Sequence, residues 1–213
     1  MSHHESEAKG TSARMADRML FFSDAVFAIV LTLLALELRA PDYEGGVGAL
    51  WPALAGMANK FLAFGMSFAL TGLWWTVHMR MTRRLVTFDW LTAICNLLAL
   101  ASVTVLPFAT SVFGENPNSL DTLQFYWWVS LATGMSMTLL LLVSTRGGGR
   151  LMGGISRTEY FLRITQSIAP VIAFAAGIYF CAQGMAWQAR FAAFIMFPIM
   201  WLGRLLFRVK KAA

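Results

Sequence analysis

The chain has 213 residues, of which 58% are hydrophobic and only 13% are charged, a composition that excludes an ordinary soluble domain of this size. The formal net charge of +6 could indicate nucleic-acid binding, but the basic residues lie beside apolar runs and are not interleaved with aromatic residues. We therefore expect that the protein lies in a lipid bilayer and does not bind nucleic acid. Because backbone polar groups must stay paired in hydrocarbon, the long apolar runs predict membrane-spanning helices and an all-α fold.

Six apolar segments follow one another along the chain, each long enough for a transmembrane helix at ~20 residues per span. The loops between them contain turn formers or charges and are too short for another domain. We predict a cytoplasmic disordered tail over residues 1–13, a six-helix membrane domain over 14–208 and a cytoplasmic C-terminal tail over 209–213. The predicted helical segments are 17–38, 51–79, 88–112, 121–145, 159–182 and 187–208.

The distribution of Lys and Arg predicts the orientation of these helices. Nearly all of the basic residues lie at one end of the segments, whereas Arg39 and Arg190 lie at the other end and Lys60 lies inside the second segment. Under the positive-inside rule, both termini are then cytoplasmic, which an even number of spans allows. We expect a multi-pass protein of the cell inner (plasma) membrane.

Ionisable side chains inside membrane spans are the first candidates for function, because a charge in lipid needs a partner or water. Most of those in this chain lie in the first segment, with Arg18 and Asp24 at its cytoplasmic end and Glu37 at its outer end. His78 lies at the cytoplasmic end of the second segment, at about the level of Asp24. The first two segments are therefore the place to look for a functional site.

The sequence gives no indication of an enzyme, a metal site or a cofactor. Cys95 and Cys181 lie in separate apolar segments without CxxC spacing or a neighbouring His, so both are expected to pack in the protein interior. No paired carboxylates, Ser–Lys pair or GxSxG string lies at bilayer depth. We expect no catalytic residue.

Two short motifs mark the cytoplasmic ends of the first two segments. One is R-x-x-x-F-S-D, followed by AVFAIVLTLLALEL, and the other is W-x-x-H, followed by basic residues. In this arrangement the chain resembles the transmembrane protein 175 family of potassium channels, in its bacterial single-repeat form. The motif residues are Arg18, Phe22, Ser23, Asp24, Trp75 and His78.

The resemblance implies a potassium-selective cation channel, with passive K⁺ transport and no cofactor. A single-repeat subunit would assemble as a homotetramer, with the first helix of each subunit lining a pore on the symmetry axis. The constriction of the family consists of bulky apolar residues on that helix, which correspond here to Ile29, Leu33 and Leu36, with Thr32 as a nearby hydroxyl. The TVGYG filter of other potassium channels is absent from this sequence, as it is from the family.

Helical geometry permits this pore interpretation, because ~100° per residue places Thr32 and the three apolar positions on one face of the first helix. Glu37 lies toward the edge of the same face, where its carboxylate would concentrate cations at the outer mouth. Asp24 projects elsewhere, so we expect it to be structural and not ion-binding. Periodicity alone indicates helix packing or lipid contact more often than a gate, and only the neighbouring motif favours a pore.

We expect the motif residues to form a polar network that holds the first two helices together at their cytoplasmic ends. Ser23 and Asp24 would bond, within or between subunits, with Arg18, Trp75 and His78. On a straight helix Arg18 would project into the mouth of a cation pore, so we expect Asp24 of the same or an adjacent subunit to neutralise it. The alternatives are a helix that bends or begins after Arg18, or a simple positive-inside anchor.

Other classes of function stay open at this point. The main alternative is a proton-conducting channel or a cation/proton-coupled transporter, although a carrier would normally need charged or broken helices at mid-membrane depth. A purely structural subunit of a larger complex is the second alternative.

Overall fold

The computed structural model describes residues 2–42, 45–87 and 89–207, and the regular secondary structure of this part is entirely helical. Two short 3₁₀ turns, Arg150–Met152 and Ala192–Ile195, accompany the α-helices. The α-helices are α1 (Ser2–Leu36), α2 (Leu50–Gly56), α3 (Ala58–Thr82), α4 (Trp90–Thr104), α5 (Leu106–Glu115), α6 (Leu120–Gly149), α7 (Arg157–Ala182), α8 (Ala186–Phe191) and α9 (Met196–Leu206).

The helices combine into five or six stretches that are long and apolar enough to cross a membrane. A sixth span results if α2 and α3, which are bent by 56° relative to each other, form one span. Each predicted segment overlaps one of these stretches, so the prediction of an all-α membrane protein is confirmed, and the six-span plan holds when α2 and α3 form one span. The five unbent stretches are Ala16–Leu36, Trp90–Glu115, Leu120–Met152, Arg157–Ala182 and Ala186–Leu206.

The first helix is longer at its N-terminal end than the sequence predicts. α1 begins at Ser2, whereas we predict a disordered tail over residues 1–13 and a first segment that begins at residue 17. The N-terminal residues are polar, which places them outside the apolar segment, but they contain no proline that would end a helix. A polar sequence without proline can continue a membrane helix into water. The predicted C-terminal tail, 209–213, lies outside the described residues.

Proline and glycine account for the breaks within the spans. α4 and α5 are separated at Val105, and Pro107 lies in the first turn of α5, where its missing N–H costs no helical hydrogen bond. Gly147 and Gly148 have φ values of 60° and 71°, so regular helix in α6 ends at Thr145. This is the end that the sequence predicts for the fourth segment.

Aromatic side chains fill the centre of the bundle, where α3, α6 and α7 meet. The rings of Trp127 and Phe174 stack with centroids 5.6 Å apart, and the ring centroids of Trp74 and Phe174 are 6.3 Å apart. Gly177 lets the Trp127 indole lie directly on α7, because a Cβ at that position would be 2.8 Å from Trp127 Cδ1. The close packing of α6 on α7 therefore depends on a glycine.

Candidate functional site

One face of α1 packs against the rest of its own subunit, chiefly against α3 and α4 and, toward its C-terminal end, against α5. The buried side chains of this face recur every three or four residues, as expected for one side of a helix. They are Ser23, Phe27, Val30 and Leu34. This packing fixes the rotation of α1 about its axis, and with it the direction of every other side chain on the helix.

The opposite face of α1 is apolar and is not covered by its own subunit. The exposed fractions are 57% for Ile29, 39% for Leu33 and 72% for Leu36. Thr32 is also exposed, and its Oγ1 donates a hydrogen bond to the backbone carbonyl of Ile29 at 2.7 Å. At ~100° per residue, the middle of the buried face lies about 130° from Ile29, so Thr32, Ile29 and Leu36 point almost directly away from the bundle. Leu33 lies nearer the edge.

A buried chain of hydrogen bonds connects α3, α4 and α1 near the ends where the basic residues gather. His78 Nε2 lies 2.7 Å from Asn96 Oδ1, and Asn96 Nδ2 donates to Ser23 Oγ at 3.0 Å. Ser23 Oγ in turn donates to the backbone carbonyl of Met19 at 2.8 Å. With the Asn96 amide nitrogen assigned toward Ser23, its oxygen faces the imidazole, so His78 Nε2 carries the proton. The three side chains are each 1% exposed.

Asn96 is the member of this chain that sequence reasoning missed. The motifs suggest a direct contact between Ser23 and His78, whereas the structure places the side chain of α4 between them. The sequence did contain a signal for Asn96: a lone Asn within an apolar span needs hydrogen-bond partners from neighbouring helices.

A second polar contact ties α1 to α3 at the surface of the bundle. Trp75 Nε1 donates to Asp24 Oδ1 at 2.9 Å, which joins one residue of each motif. Phe22 takes no part in it, since half of its surface is exposed on the outward face of α1. The structure thus divides the motif residues among a buried chain, a surface contact and an uncovered side.

Arg18 does not contact Asp24 within the subunit. Of the two expected ways to neutralise Arg18, by Asp24 of the same subunit or of an adjacent one, the first is therefore excluded. Arg18 is exposed and makes no hydrogen bond or ion pair within the described part of the chain. Residues six apart on a helix do not share a face, which is the physical reason. The alternative in which the helix begins after Arg18 is also wrong, because α1 runs through it without a break.

Glu37, the predicted outer-mouth residue, is half-buried and borders a small cleft that Lys60 and Glu115 also line. Lys60 Nζ lies 2.7 Å from Glu115 Oε1, so the lysine inside the predicted second segment has a partner on α5. Glu37 is therefore turned partly toward α3 and α5. Within residues 2–42, 45–87 and 89–207, no cluster of three His, Cys, Asp or Glu side chains could hold a metal ion.

Comparison with known proteins finds relatives of the region that contains these features. The family described as "Endosomal/lysosomal potassium channel TMEM175" matches residues 18–107, which include the outward face of α1, the buried chain and the Trp75 contact. A protein named "Potassium channel" from Streptomyces collinus is 35% identical over 98 residues, or 46% of this chain and 47% of that protein. Another of that name, from Chryseobacterium sp., is 31% identical over 105 residues, or 47% of this chain and 52% of that protein.

A vertebrate relative matches over a similar length of the chain. The mouse protein named "Endosomal/lysosomal proton channel TMEM175" is 37% identical over 112 residues, which cover 48% of this chain and 22% of the mouse protein. The matches thus span about half the length of the two bacterial relatives and less than a quarter of the mouse protein.

A solved structure extends the likeness to the whole fold. The crystal structure of "a lysosomal potassium-selective channel TMEM175 homolog" from Chamaesiphon minutus superimposes with a TM-score of 0.71. The superposition covers 92% of this chain and 100% of the Chamaesiphon minutus chain, at 23% sequence identity. The match over residues 18–107 makes this part of the chain similar to the transmembrane protein 175 family, whose model is described as a potassium channel, and the superposition shows that the chain shares the fold of the Chamaesiphon minutus protein.

Proposed function

We propose that this protein is a potassium-selective cation channel in which four copies of α1 surround a pore on the axis of a homotetramer. The observation that carries the proposal is the uncovered apolar face of α1, with Ile29, Thr32 and Leu36 directed away from their own bundle. In a membrane such a face can contact lipid or another subunit. The family whose model matches this part of the chain is described as a potassium channel, which favours contact with another subunit.

The outward face also carries a polar group at a depth where lipid contact would offer it nothing. The Thr32 hydroxyl donates its proton to the Ile29 carbonyl, so its oxygen keeps lone pairs that could accept from water or face a passing cation. Arg18 projects from nearly the same side at the cytoplasmic end and has no partner within the described residues of one subunit. Both groups are compatible with a water-filled pore on the symmetry axis. In such an assembly Asp24 of an adjacent subunit is available to neutralise Arg18.

A tetramer of this kind would hold its gate in the apolar rings of α1. From Ile29 to Leu36 the helix rises ~10 Å at ~1.5 Å per residue, with Leu33 between them, so three rings would line one narrow bore. An apolar bore gives an ion nothing in exchange for its hydration shell, and it closes by dewetting. Conduction then requires the helices to move apart or rotate.

The polar contacts at the cytoplasmic end suit a fixed attachment of α1 to its bundle. The Ser23–Asn96–His78 chain and the Asp24–Trp75 hydrogen bond hold the helix to α3 and α4, while the gate lies one to three turns further along. With both termini cytoplasmic, as the basic residues favour, Glu37 lies at the outer mouth of a channel in the inner membrane. Its carboxylate there would raise the local cation concentration, in part offset by Arg39.

The proposal is tested by reconstituting the purified protein in liposomes and measuring ion flux under K⁺ and Na⁺ gradients. Ile29→Asn is expected to increase flux and reduce the preference for K⁺, because it places a polar side chain in the constriction. Ile172→Asn is the matched control, since Ile172 is 45% exposed on α7, away from the proposed axis. Absence of flux from wild type and Ile29→Asn would refute the channel, and equal effects of the two variants would refute the gate.

A proton-conducting channel is the second candidate, and the observation that favours it is the similarity to the mouse protein named a proton channel. A pH-sensitive dye trapped in K⁺-free liposomes distinguishes the two, because proton entry under a pH gradient alone supports the proton channel. A cation/proton-coupled transporter would instead move protons only when K⁺ or Na⁺ moves. The mass of the oligomer in detergent checks the assembly, since any state other than a tetramer contradicts the axial pore.

A further inference from the structure

A cavity of about 340 Å³ lies between α3, α6, α7 and α9, at the end of the molecule where the basic residues gather. None of the candidate gate residues and none of the residues of the Ser23–Asn96–His78 chain or the Asp24–Trp75 contact lines it. It therefore lies apart from the proposed pore, and a function for it has to come from its own lining.

The mouth of the cavity is strongly basic. Arg80, Arg84, Arg163 and Arg204 line it together with a single carboxylate, Glu159. Glu159 Oε1 lies 3.0 Å from Arg84 Nη1 and 2.8 Å from Arg163 Nη2, so this one negative charge is shared by two arginines. Arg80 and Arg204 are exposed and have no ion-pair partner within the described part of the chain. The mouth thus keeps three uncompensated positive charges.

The deeper part of the cavity is apolar. Its lining includes Leu73 and Val77 of α3, Met137 and Leu141 of α6, and Met200 of α9. Leu73 lies seven positions before Arg80 on α3, a distance of about 10 Å along the helix at ~1.5 Å per residue. Charge at one end and hydrocarbon contact at the other match an amphiphile whose long axis follows the membrane normal.

We infer that this cavity binds an anionic phospholipid of the leaflet that faces the basic loops, with its phosphate ester between Arg80 and Arg204. Guanidinium groups bind phosphate oxygens in pairs of parallel hydrogen bonds, and basic pockets between membrane helices are suited to such headgroups. Glu159 holds two further arginines in position without neutralising the mouth. One acyl chain follows the apolar lining. The inference is independent of ion conduction.

Native mass spectrometry of the purified full-length protein tests the inference, with palmitoyl-oleoyl phosphatidylglycerol as the probe and phosphatidylethanolamine of the same chains as the zwitterionic comparison. The variant Arg80→Gln with Arg204→Gln removes two charges that stabilise no ion pair. The matched control, Arg83→Gln with Arg150→Gln, removes two exposed charges from the same side of the molecule but outside the cavity. The midpoint of thermal unfolding (Tm) without lipid checks the folding of each variant.

We expect phosphatidylglycerol to bind more tightly than phosphatidylethanolamine. At about fivefold per arginine near a membrane surface, the cavity variant should bind phosphatidylglycerol about 30-fold more weakly, and the control variant as wild type does. The single variants, each about fivefold weaker, keep the test available if the double variant does not fold. The inference is overturned if the control pair weakens binding as much as the cavity pair, or if phosphatidylethanolamine binds equally well. It is also overturned if inorganic phosphate or glycerol phosphate raises Tm as much as phosphatidylglycerol, since the ligand would then be a free phosphate.

Discussion

Replacement of Asn96 by Leu tests whether the buried hydrogen-bond chain holds α1 to the bundle. The substitution keeps the number and branching of the side-chain heavy atoms but removes both the acceptor for His78 Nε2–H and the donor to Ser23 Oγ. Interhelical hydrogen bonds in membrane proteins contribute ~0.6 kcal/mol on average and ~1.7 at most, so two of them account for roughly 1–3 kcal/mol. Because both partners stay buried at 1% exposure, the upper half of that range is expected.

The assay is unfolding of the purified protein in detergent, by heat and by a denaturing detergent. A loss of ~2 kcal/mol corresponds to a fall in Tm of roughly 4–8 °C for a chain of this size. The control is the triple variant Ser23→Ala, Asn96→Leu, His78→Phe, in which no polar group is left without a partner. Replacing all members of a buried polar group by apolar ones can be nearly neutral, so the triple variant should be more stable than Asn96→Leu alone. A single variant as stable as wild type, or a triple variant less stable than the single one, would refute the reasoning.

Three smaller predictions use the same unfolding measurement. Gly177→Ala should destabilise the protein by ~1–3 kcal/mol, because its Cβ would meet the rigid Trp127 indole at 2.8–3.0 Å. Gly65→Ala is the control and should be neutral or stabilising, because a Cβ at that position has no neighbour within 4 Å. A neutral Gly177→Ala would mean that α6 and α7 are free to separate. Trp75→Phe should lower Tm less than Asn96→Leu does, since the hydrogen bond it loses lies at the surface; an equal loss would contradict this. Lys60→Met should shift Tm by no more than ~2 °C, because its ion pair is partly exposed, and a larger fall would show that the charge is buried in the membrane.

Much of the candidate site follows from sequence, but its connections do not. The motifs on the first two segments identify Ser23, Asp24, Trp75 and His78, all of which make polar contacts in the structure. The partners differ from those expected, because Asn96 comes from a third helix that carries no recognisable motif. Which side chains meet across helices depends on the rotation and tilt of each helix, and a sequence motif contains neither.

The sequence by itself determined the class of the protein, the number of membrane segments and where they end. These properties are local, since the solvation of about 20 consecutive apolar residues and the backbone preferences of proline and glycine need no information about neighbours. Only the tertiary structure decided which side of α1 is covered. Every position from Ile29 to Leu36 is apolar or a threonine, so hydropathy cannot distinguish a packed face from a free one. The contacts with α3, α4 and α5 bury Val30 and Leu34 and leave Ile29 and Leu36 uncovered, which fixes the direction of the proposed gate.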